Sequence, residues 1–274
     1  MTDRRWGLDK LTEADILGGG FSTPWDAPLV PPFPFQFRNA EIVTVFYRTD
    51  PSAMAFLTPP PVEPVGDVVA IHIYKMNDTD WIGPYHEANV MYGAKLGRHS
   101  GAYSPYLFLH SDGGVAHGRE AHGQPKKFAD PFMEFRGDLI VAGVVRNGID
   151  VITVTTPCKQ KRTDSAEMRR HFEFGTNLNL KAINHIDATP AIRQITSRKL
   201  TDVVVHECWV GPATVELRPN AQAPVFRLPV VEPLEAYYWR ADFTLVSGDI
   251  IHDYLAQPAA KPRAAARGKT TTKK

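Results

Sequence analysis

Cysteine is scarce in this chain, and long apolar runs are missing from it. The 274 residues include two cysteines, Cys158 and Cys208, which allow at most one disulfide. A chain of this length buries enough apolar surface to fold without such a cross-link. No run of 18 or more apolar residues is present, which argues against a membrane-spanning helix, and the first ten residues lack the apolar core of a secretion signal. We therefore expect a reduced, cytoplasmic protein without a membrane partner.

An excess of charge of one sign is also absent. The chain has 31 Lys plus Arg and 30 Asp plus Glu, and residues 259–274 hold six of the basic residues and no acidic one. Removing this segment takes the formal net charge from +1 to −5. A mildly acidic body argues against a nucleic-acid partner. We expect residues 1–258 to form a single domain and residues 259–274 to be a disordered basic tail.

The motifs of several common enzyme classes are not found. Gly18-Gly19-Gly20 lacks the strand and the spacing of a phosphate-binding loop, and no G-x-S-x-G motif occurs. His117 and His122 lie five positions apart, which does not place two metal ligands on one face of an α-helix. The sequence therefore predicts no metal site.

Strand patterns dominate the chain. Runs of β-branched and aromatic residues predict strands at residues 41–48, 68–74, 138–146, 149–156, 202–210, 213–217, 237–245 and 249–254. Between the third and fourth runs, Asn147-Gly148 indicates a hairpin closed by a type I′ turn.

Helix patterns are fewer. Asp50 supplies an N-cap before a short helix at residues 53–57, and residues 165–174 predict a second, longer helix. The first 36 residues end in a proline-rich stretch whose apolar side chains favour an arm packed on the domain. Together these patterns predict an α+β, β-rich domain with a barrel-like or two-sheet core.

Several separated motifs resemble those of the acetoacetate decarboxylase superfamily and occur in the family's order. They are Tyr47-Arg48-Thr49-Asp50-Pro51, Tyr85-His86-Glu87, Gly118-Arg119-Glu120, Pro125-Lys126-Lys127, residues 201–209 and residues 251–255. The resemblance covers most of the chain. It implies a barrel or cone of antiparallel strands with few helices, no cofactor, and a homo-oligomer of four or more subunits.

The resemblance also implies a reactive lysine. In the family, the first lysine of the P-K-K run forms a Schiff base with a ketone, and here that residue is Lys126. The family's acidic residue 39 positions earlier is matched by Glu87. Only a neutral amine attacks a carbonyl, and about one free lysine in 2,500 is neutral at pH 7. We expect desolvation to favour the neutral amine more than the charge of Lys127 does, because adjacent side chains diverge in a strand.

Three positions depart from the family's decarboxylases. Ala40 stands where an arginine is expected, His72 replaces a glutamate 15 residues before Glu87, and Gln124 replaces a tyrosine. These departures favour the aldolase-dehydratase branch of the superfamily as the leading hypothesis. Pyruvate would form an imine on Lys126, and the resulting enamine would condense with an aldehyde to give a 2-oxo-3-enoate.

The leading hypothesis assigns roles to further residues. Glu87 is the acid/base, Tyr85 and Gln124 position the carboxylate or the aldehyde oxygen, and Tyr254 completes the pocket. The remaining pocket candidates are His72, Lys127, Arg38 and Arg119.

Two alternatives to the aldolase-dehydratase remain open from the sequence. One is a decarboxylase for acetoacetate or another β-keto acid, in which Arg38 or another donor replaces the missing arginine. The other is a non-catalytic module that binds a small molecule. Retention of both Lys126 and Glu87 counts against the binding module.

Overall fold

The computed structural model of the chain describes residues 11–18, 22–25, 27–30 and 32–256. Within these residues there are three α-helices, Glu13–Gly18 (α1), Pro51–Leu57 (α2) and Asp112–His117 (α3). A π-helical turn, Gly118–His122, follows α3 directly, and 3-10 turns lie at Ser165–Arg169 and Val225–Arg227. The predicted basic tail at residues 259–274 lies outside the described residues.

Strands make up most of the described chain. They are Phe35–Arg48 (β1), Glu63–Met76 (β2), Asp78–Thr79 (β3), Tyr85–Leu96 (β4), His99–Leu109 (β5), Lys126–Phe128 (β6), Asp130–Arg136 (β7), Leu139–Arg146 (β8), Ile149–Pro157 (β9), Lys161–Arg162 (β10), Thr176–Asn184 (β11), Pro190–Pro212 (β12), Thr214–Leu217 (β13), Glu232–Leu245 (β14) and Asp249–Asp253 (β15). The β-rich α+β class is therefore confirmed.

The larger of two sheets closes on itself. Hydrogen-bonded neighbours follow the order β12–β11–β5–β4–β2–β1–β14, and β14 pairs in turn with β12 to complete a ring. Strands β6 and β11 run parallel to β5, whereas the other pairings of the described strands are antiparallel. For β6 the reason is its connection: α3 and the π-helical turn carry the chain back along β5 before β6 begins.

Two apolar clusters lie on opposite faces of the ring's strands. Along β1, Val43 and Val45 belong to one cluster, whereas Ile42 and Phe46 belong to the other, as the two-residue period of a strand requires. The first cluster packs against the second, four-stranded sheet, whose order is β13–β9–β8–β7. The other cluster surrounds the cavity that holds the candidate site.

Two local predictions are confirmed. The β8–β9 hairpin pairs Arg146 with Ile149, and both turn residues have a positive φ, 53° at Asn147 and 74° at Gly148. Helix α2 begins behind the Asp50 side chain, which accepts a hydrogen bond from the backbone N–H of Ser52 at 2.8 Å.

The predicted longer helix at residues 165–174 is wrong. Only a 3-10 turn forms at Ser165–Arg169, and the following residues make no regular helix. Their aromatic rings pack on the sheet instead: Phe172 lies 6.2 Å from Phe46, and Phe174 lies 4.9 Å from His72. Tertiary burial of these two rings therefore outweighs local helix preference.

The described part of the proline-rich arm contacts the ring. Val30 is fully buried, and the Phe33 ring lies 4.9 Å from that of His117 in an edge-on arrangement. No helix in the described parts of the chain is long and apolar enough to cross a membrane.

Candidate active site

A buried ion pair joins Lys126 to Glu87. The Lys126 Nζ lies 2.9 Å from Glu87 Oε2, and both side chains are less than a tenth exposed. Lys126 is the first residue of β6 and pairs with Leu107 of β5, while Glu87 lies on the neighbouring strand β4. Strands β6 and β4 pair with β5 from its two sides, and this arrangement brings together residues 39 positions apart in sequence.

The ion pair faces a cavity of about 40 Å³. One water molecule needs roughly 10–15 Å³ by this measure, so the space corresponds to about three waters. Apolar side chains form much of its wall: Phe35, Phe37, Met76, Ile82, Leu200, Phe243 and Leu245. Its polar lining consists of Tyr74, Tyr85, Glu87, Asn89, His117, Gln124, Lys126 and Arg198.

Tyr85 and Gln124 both line the cavity, as the hypothesis based on the sequence requires. Tyr85 precedes Glu87 by two residues on β4, so both side chains lie on the same face of that strand. Burial, with the charge of Glu87, raises the pKa of Tyr85 well above its usual value. Tyr85 therefore presents a neutral hydroxyl that can donate a hydrogen bond to substrate.

Gly118 provides the space through which the Lys126 side chain passes. A Cβ at Gly118 would lie 2.3 Å from Lys126 Cδ and 2.6 Å from its Cε. Because these distances are far inside van der Waals contact, no larger residue fits here without displacing the lysine. The π-helical turn thus positions the Lys126 amine and, with α3, connects β5 to β6.

Lys127 and Arg119 do not line this cavity. Lys127 is exposed, and its Nζ donates to the backbone carbonyl of Gln222 at 2.9 Å. Its pKa is lowered by partial burial and by Arg146 and Arg119. Arg119 instead donates from Nη1 to the backbone carbonyl of Lys126 at 3.2 Å, so it supports the strand that carries Lys126.

Arg38 and Tyr254 are also away from the cavity. Arg38 lies at the surface, where its guanidinium pairs with Asp80 at 2.9 Å and with Asp78 at 3.4 Å. The positive φ of Asn39 and the shift in β1–β14 register beside it accompany this outward position. The hydroxyl of Tyr254, which is over a third exposed, donates to the backbone carbonyl of Pro60.

His72 lies next to the cavity wall but does not line it. Its ring stacks beside that of Tyr74 at 5.8 Å, and its Nδ1 is 2.8 Å from Thr44 Oγ1, which also accepts from Trp239. Complete burial lowers the pKa of His72 to about 3, so the imidazole is neutral. His72 therefore supplies no negative charge where the family's decarboxylases carry a glutamate.

The π-helical turn brings together two histidines that an α-helix would separate. A π-helix bonds residue i to residue i+5, which is the spacing of His117 and His122. Their rings lie 5.3 Å apart, and His117 lines the cavity. Burial lowers the pKa of each to about 3, and Lys126 and Arg198 contribute in the same direction. Among the described residues, no three His, Cys, Asp or Glu side chains are grouped to hold a metal ion.

Arg198 is the functional candidate that the sequence analysis missed. It lies on β12, eight residues after the strand begins and four residues before the predicted run at 202–210. Arg198 lines the cavity, whereas the next residue, Lys199, is exposed. Side chains alternate between the two faces of a strand, so Arg198 lies on the same face as Thr196 and Leu200. This alternation is the only signal for Arg198 in the sequence.

A buried lysine amine beside a carboxylate, in a cavity with an apolar wall on part of its surface, suits attack on a carbonyl carbon. The carboxylate can take a proton from the amine and return it later. The fold and this site together define a Schiff-base lyase.

The chain belongs to the acetoacetate decarboxylase family. The family model described as "Acetoacetate decarboxylase (ADC)" matches residues 21–255. An acetoacetate decarboxylase of Paraburkholderia xenovorans is 34% identical over 248 residues, which are 90% of this chain and 98% of that protein. A solved structure of an acetoacetate decarboxylase superposes with a TM-score of 0.84 at 31% identity and covers 90% of this chain and 100% of its own.

A more distant neighbour shares the fold. The enduracididine biosynthesis enzyme MppR, solved in complex with pyruvate, superposes with a TM-score of 0.73 at 17% identity over 86% of this chain and 98% of its own. At that identity the likeness extends to the fold alone.

Proposed function

We propose that this protein decarboxylates a small β-keto acid, with acetoacetate as the first substrate to test. The observation that carries the proposal is the Lys126–Glu87 pair, 2.9 Å apart, inside a cavity of about 40 Å³. The relatives at 32–35% identity named acetoacetate decarboxylase support the same choice.

The first half of the reaction forms the imine. Glu87 Oε2 accepts a proton from the Lys126 amine, whose lone pair then attacks the ketone carbon of the substrate. Proton transfer to the resulting hydroxyl and loss of water leave a protonated imine on Nζ.

The second half breaks the carbon–carbon bond. The electron pair of the bond to the carboxylate moves to the adjacent carbon and forms a carbon–carbon double bond, while the imine electrons move to nitrogen. The products are an enamine and carbon dioxide. One proton is then added at the terminal carbon, and water adds to the imine carbon. For acetoacetate, these steps release acetone and return Lys126 to the free amine.

The apolar wall favours this bond cleavage. Side chains such as Phe37 and Phe243 offer no hydrogen bonds to a carboxylate, so they stabilise neutral carbon dioxide relative to the anion that precedes it. Glu87 adds like-charge repulsion whenever it is ionised.

Carbon dioxide release from acetoacetate is the direct test. We expect turnover by the unaltered chain and loss of measurable turnover in Lys126→Ala. Absence of carbon dioxide release from acetoacetate and from other short β-keto acids would overturn the proposal.

An aldolase-dehydratase remains the second candidate. It is favoured by Gln124 and the neutral His72, which stand where the decarboxylases carry a tyrosine and a glutamate. Incubation with pyruvate and an aromatic aldehyde would then give a conjugated enone that absorbs ultraviolet light, without carbon dioxide release. The non-catalytic binding module has no support, since the chain belongs to a family of enzymes.

A further inference from the structure

Arg198 is a cavity-lining cation without an anionic partner in the described chain. Its Nη2 donates to Asn177 Oδ1 at 2.6 Å, a contact set by direct pairing of these two residues between β12 and β11. Its Nε is enclosed and has no hydrogen-bond partner, and no carboxylate of the described residues forms an ion pair with it. Burial lowers its pKa below the usual value, yet an arginine stays protonated at neutral pH.

The nearest negative charge in the cavity is already engaged. Glu87 attracts Arg198 electrostatically, but its carboxylate pairs with Lys126 at 2.9 Å. The other ionisable neighbours of Arg198, including Tyr74, Tyr85, His117 and His122, carry no charge at neutral pH, because burial holds the tyrosines protonated and the histidines unprotonated. A partly desolvated guanidinium with one neutral partner is costly, and an anionic ligand would remove that cost.

We infer that Arg198 binds the substrate carboxylate while Lys126 takes the ketone carbon of the same molecule. Arginine suits this role because its planar fork can donate two parallel hydrogen bonds to a carboxylate. The assignment rests on the proposed function for the identity of the substrate. It makes Arg198 the residue that selects keto acids over neutral ketones.

Arg198 thereby takes over from the arginine that the resemblance leads one to expect at position 40. Ala40 is buried in the same apolar cluster as Phe37 and Phe243, which line the cavity. The cation therefore enters the cavity from β12, on the other side of β14 from β1. The surface residue Arg38 does not have to move for a carboxylate to be bound.

Arg198→Gln tests this assignment, with Lys199→Gln as its matched control on the same strand. The first readout compares two quantities in each variant. They are the KM for acetoacetate in steady-state kinetics and the amount of acetone that borohydride traps on Lys126. We expect Arg198→Gln to raise KM about 10- to 100-fold, as loss of a charge-assisted hydrogen bond should. Trapping of neutral acetone should stay within about threefold of the unaltered chain, and Lys199→Gln should change neither.

A second readout does not depend on Schiff-base chemistry. Butyrate and its neutral amide, butyramide, have the same shape and cannot form an imine. We expect butyrate to raise the unfolding temperature of the unaltered chain and of Lys199→Gln more than butyramide does, and this difference to vanish in Arg198→Gln. The unfolding transition also shows whether each variant is folded.

Two results would overturn the assignment of Arg198. One is an unchanged preference for butyrate in Arg198→Gln, together with an unchanged KM. The other is an equal loss of acetoacetate turnover and acetone trapping, which would mean that Arg198 acts on Lys126 rather than on the carboxylate. Failure of the unaltered chain to turn over any keto acid would refute the proposed function instead, and the butyrate comparison would still decide the role of Arg198.

Discussion

Lys126 and Lys127 are neighbours in sequence but have opposite surroundings. Lys126 is buried against Glu87, whereas Lys127 is exposed and donates to the backbone of Gln222. The two-residue period of a strand causes this separation. The expected divergence of adjacent side chains therefore holds, and Lys127 does not point into the cavity.

Lys127→Gln should consequently leave turnover nearly intact. Its only described hydrogen bonds are to Gln222, and exposed contacts of this kind contribute at most about 1 kcal/mol, or roughly fivefold in rate. Steady-state kinetics with acetoacetate would check this. A loss of a hundredfold or more would show that the charge of Lys127 acts on Lys126 from outside the cavity.

Glu87→Gln should instead slow the reaction strongly. An amide cannot take the proton that the Lys126 amine must lose, and general acid–base groups contribute about 10²- to 10⁴-fold. We expect kcat to fall within that range. Glu63→Gln is the control: Glu63 lies on the neighbouring strand β2 in an exposed ion pair with Lys95, and its loss should leave kcat unchanged. Equal kcat values for Glu87→Gln and the unaltered chain would remove Glu87 from the mechanism.

At the residue scale, the sequence could reveal a site residue only where a motif marks it. Lys126 and Glu87 stand in runs shared with a known family. Arg198 stands in no such run, and its basic neighbour Lys199 makes the segment look like solvated surface. Its position emerges only when β11, β12 and β14 close the ring around the cavity.

At the scale of elements, the π-helical turn Gly118–His122 packs against one side of the site. It places the His122 ring edge-on against that of His117 and leaves Gly118 directly against the Lys126 side chain. A substitution in this turn should therefore displace the Lys126 side chain while leaving its amine in place as a chemical group.

Gly118→Ala tests that role. The added Cβ would meet Lys126 Cδ at 2.3 Å, and overpacking of this kind costs about 1–3 kcal/mol of unfolding free energy. We expect a lower unfolding temperature and at least a tenfold loss of kcat with acetoacetate. Gly18→Ala in α1 is the control, because nothing lies within 4 Å of a Cβ there. Full activity in Gly118→Ala would show that Lys126 needs no such support.

Strands β4 and β5 show what local patterns could not predict. Gly93, Gly101 and Pro105 interrupt these segments and lower their strand propensity. The structure explains Gly101: a Cβ at this position would lie 2.5 Å from the backbone carbonyl of Thr176 on the parallel strand β11. Glycine is needed here because β11 approaches closely. The residues around Gly101 in sequence give no sign of that contact. The Asn147-Gly148 hairpin was predictable because its turn geometry depends on those two residues alone.

At the scale of the whole molecule, three buried neutral histidines make stability depend on pH. Burial lowers the pKa of His72, His117 and His122 to about 3 in the folded chain, whereas an unfolded histidine titrates near 6.5. Between these values the unfolded chain binds protons that the folded chain does not. Stability is therefore fully present above about pH 6.5 and is lost progressively as the pH falls toward 3.

The expected loss is large. Each histidine contributes up to about 1.4 kcal/mol per pH unit, so the three together approach about 4 kcal/mol per unit. Urea unfolding at several pH values between 7 and 4.5 would measure this slope. His122→Gln should reduce it by about one third, whereas His185→Gln, at an exposed position, should not change it. A stability that is flat between pH 6.5 and 5 would contradict the neutral state of these rings.

The proposed reaction depends on a covalent bond between Lys126 and the substrate. Incubation with acetoacetate and borohydride, followed by peptide mass spectrometry, tests this most directly. We predict an isopropyl group on Lys126, the reduced form of the acetone imine, and no such group on Lys127. Carbon dioxide release with Lys126 unmodified, or with the group on another lysine, would contradict the account.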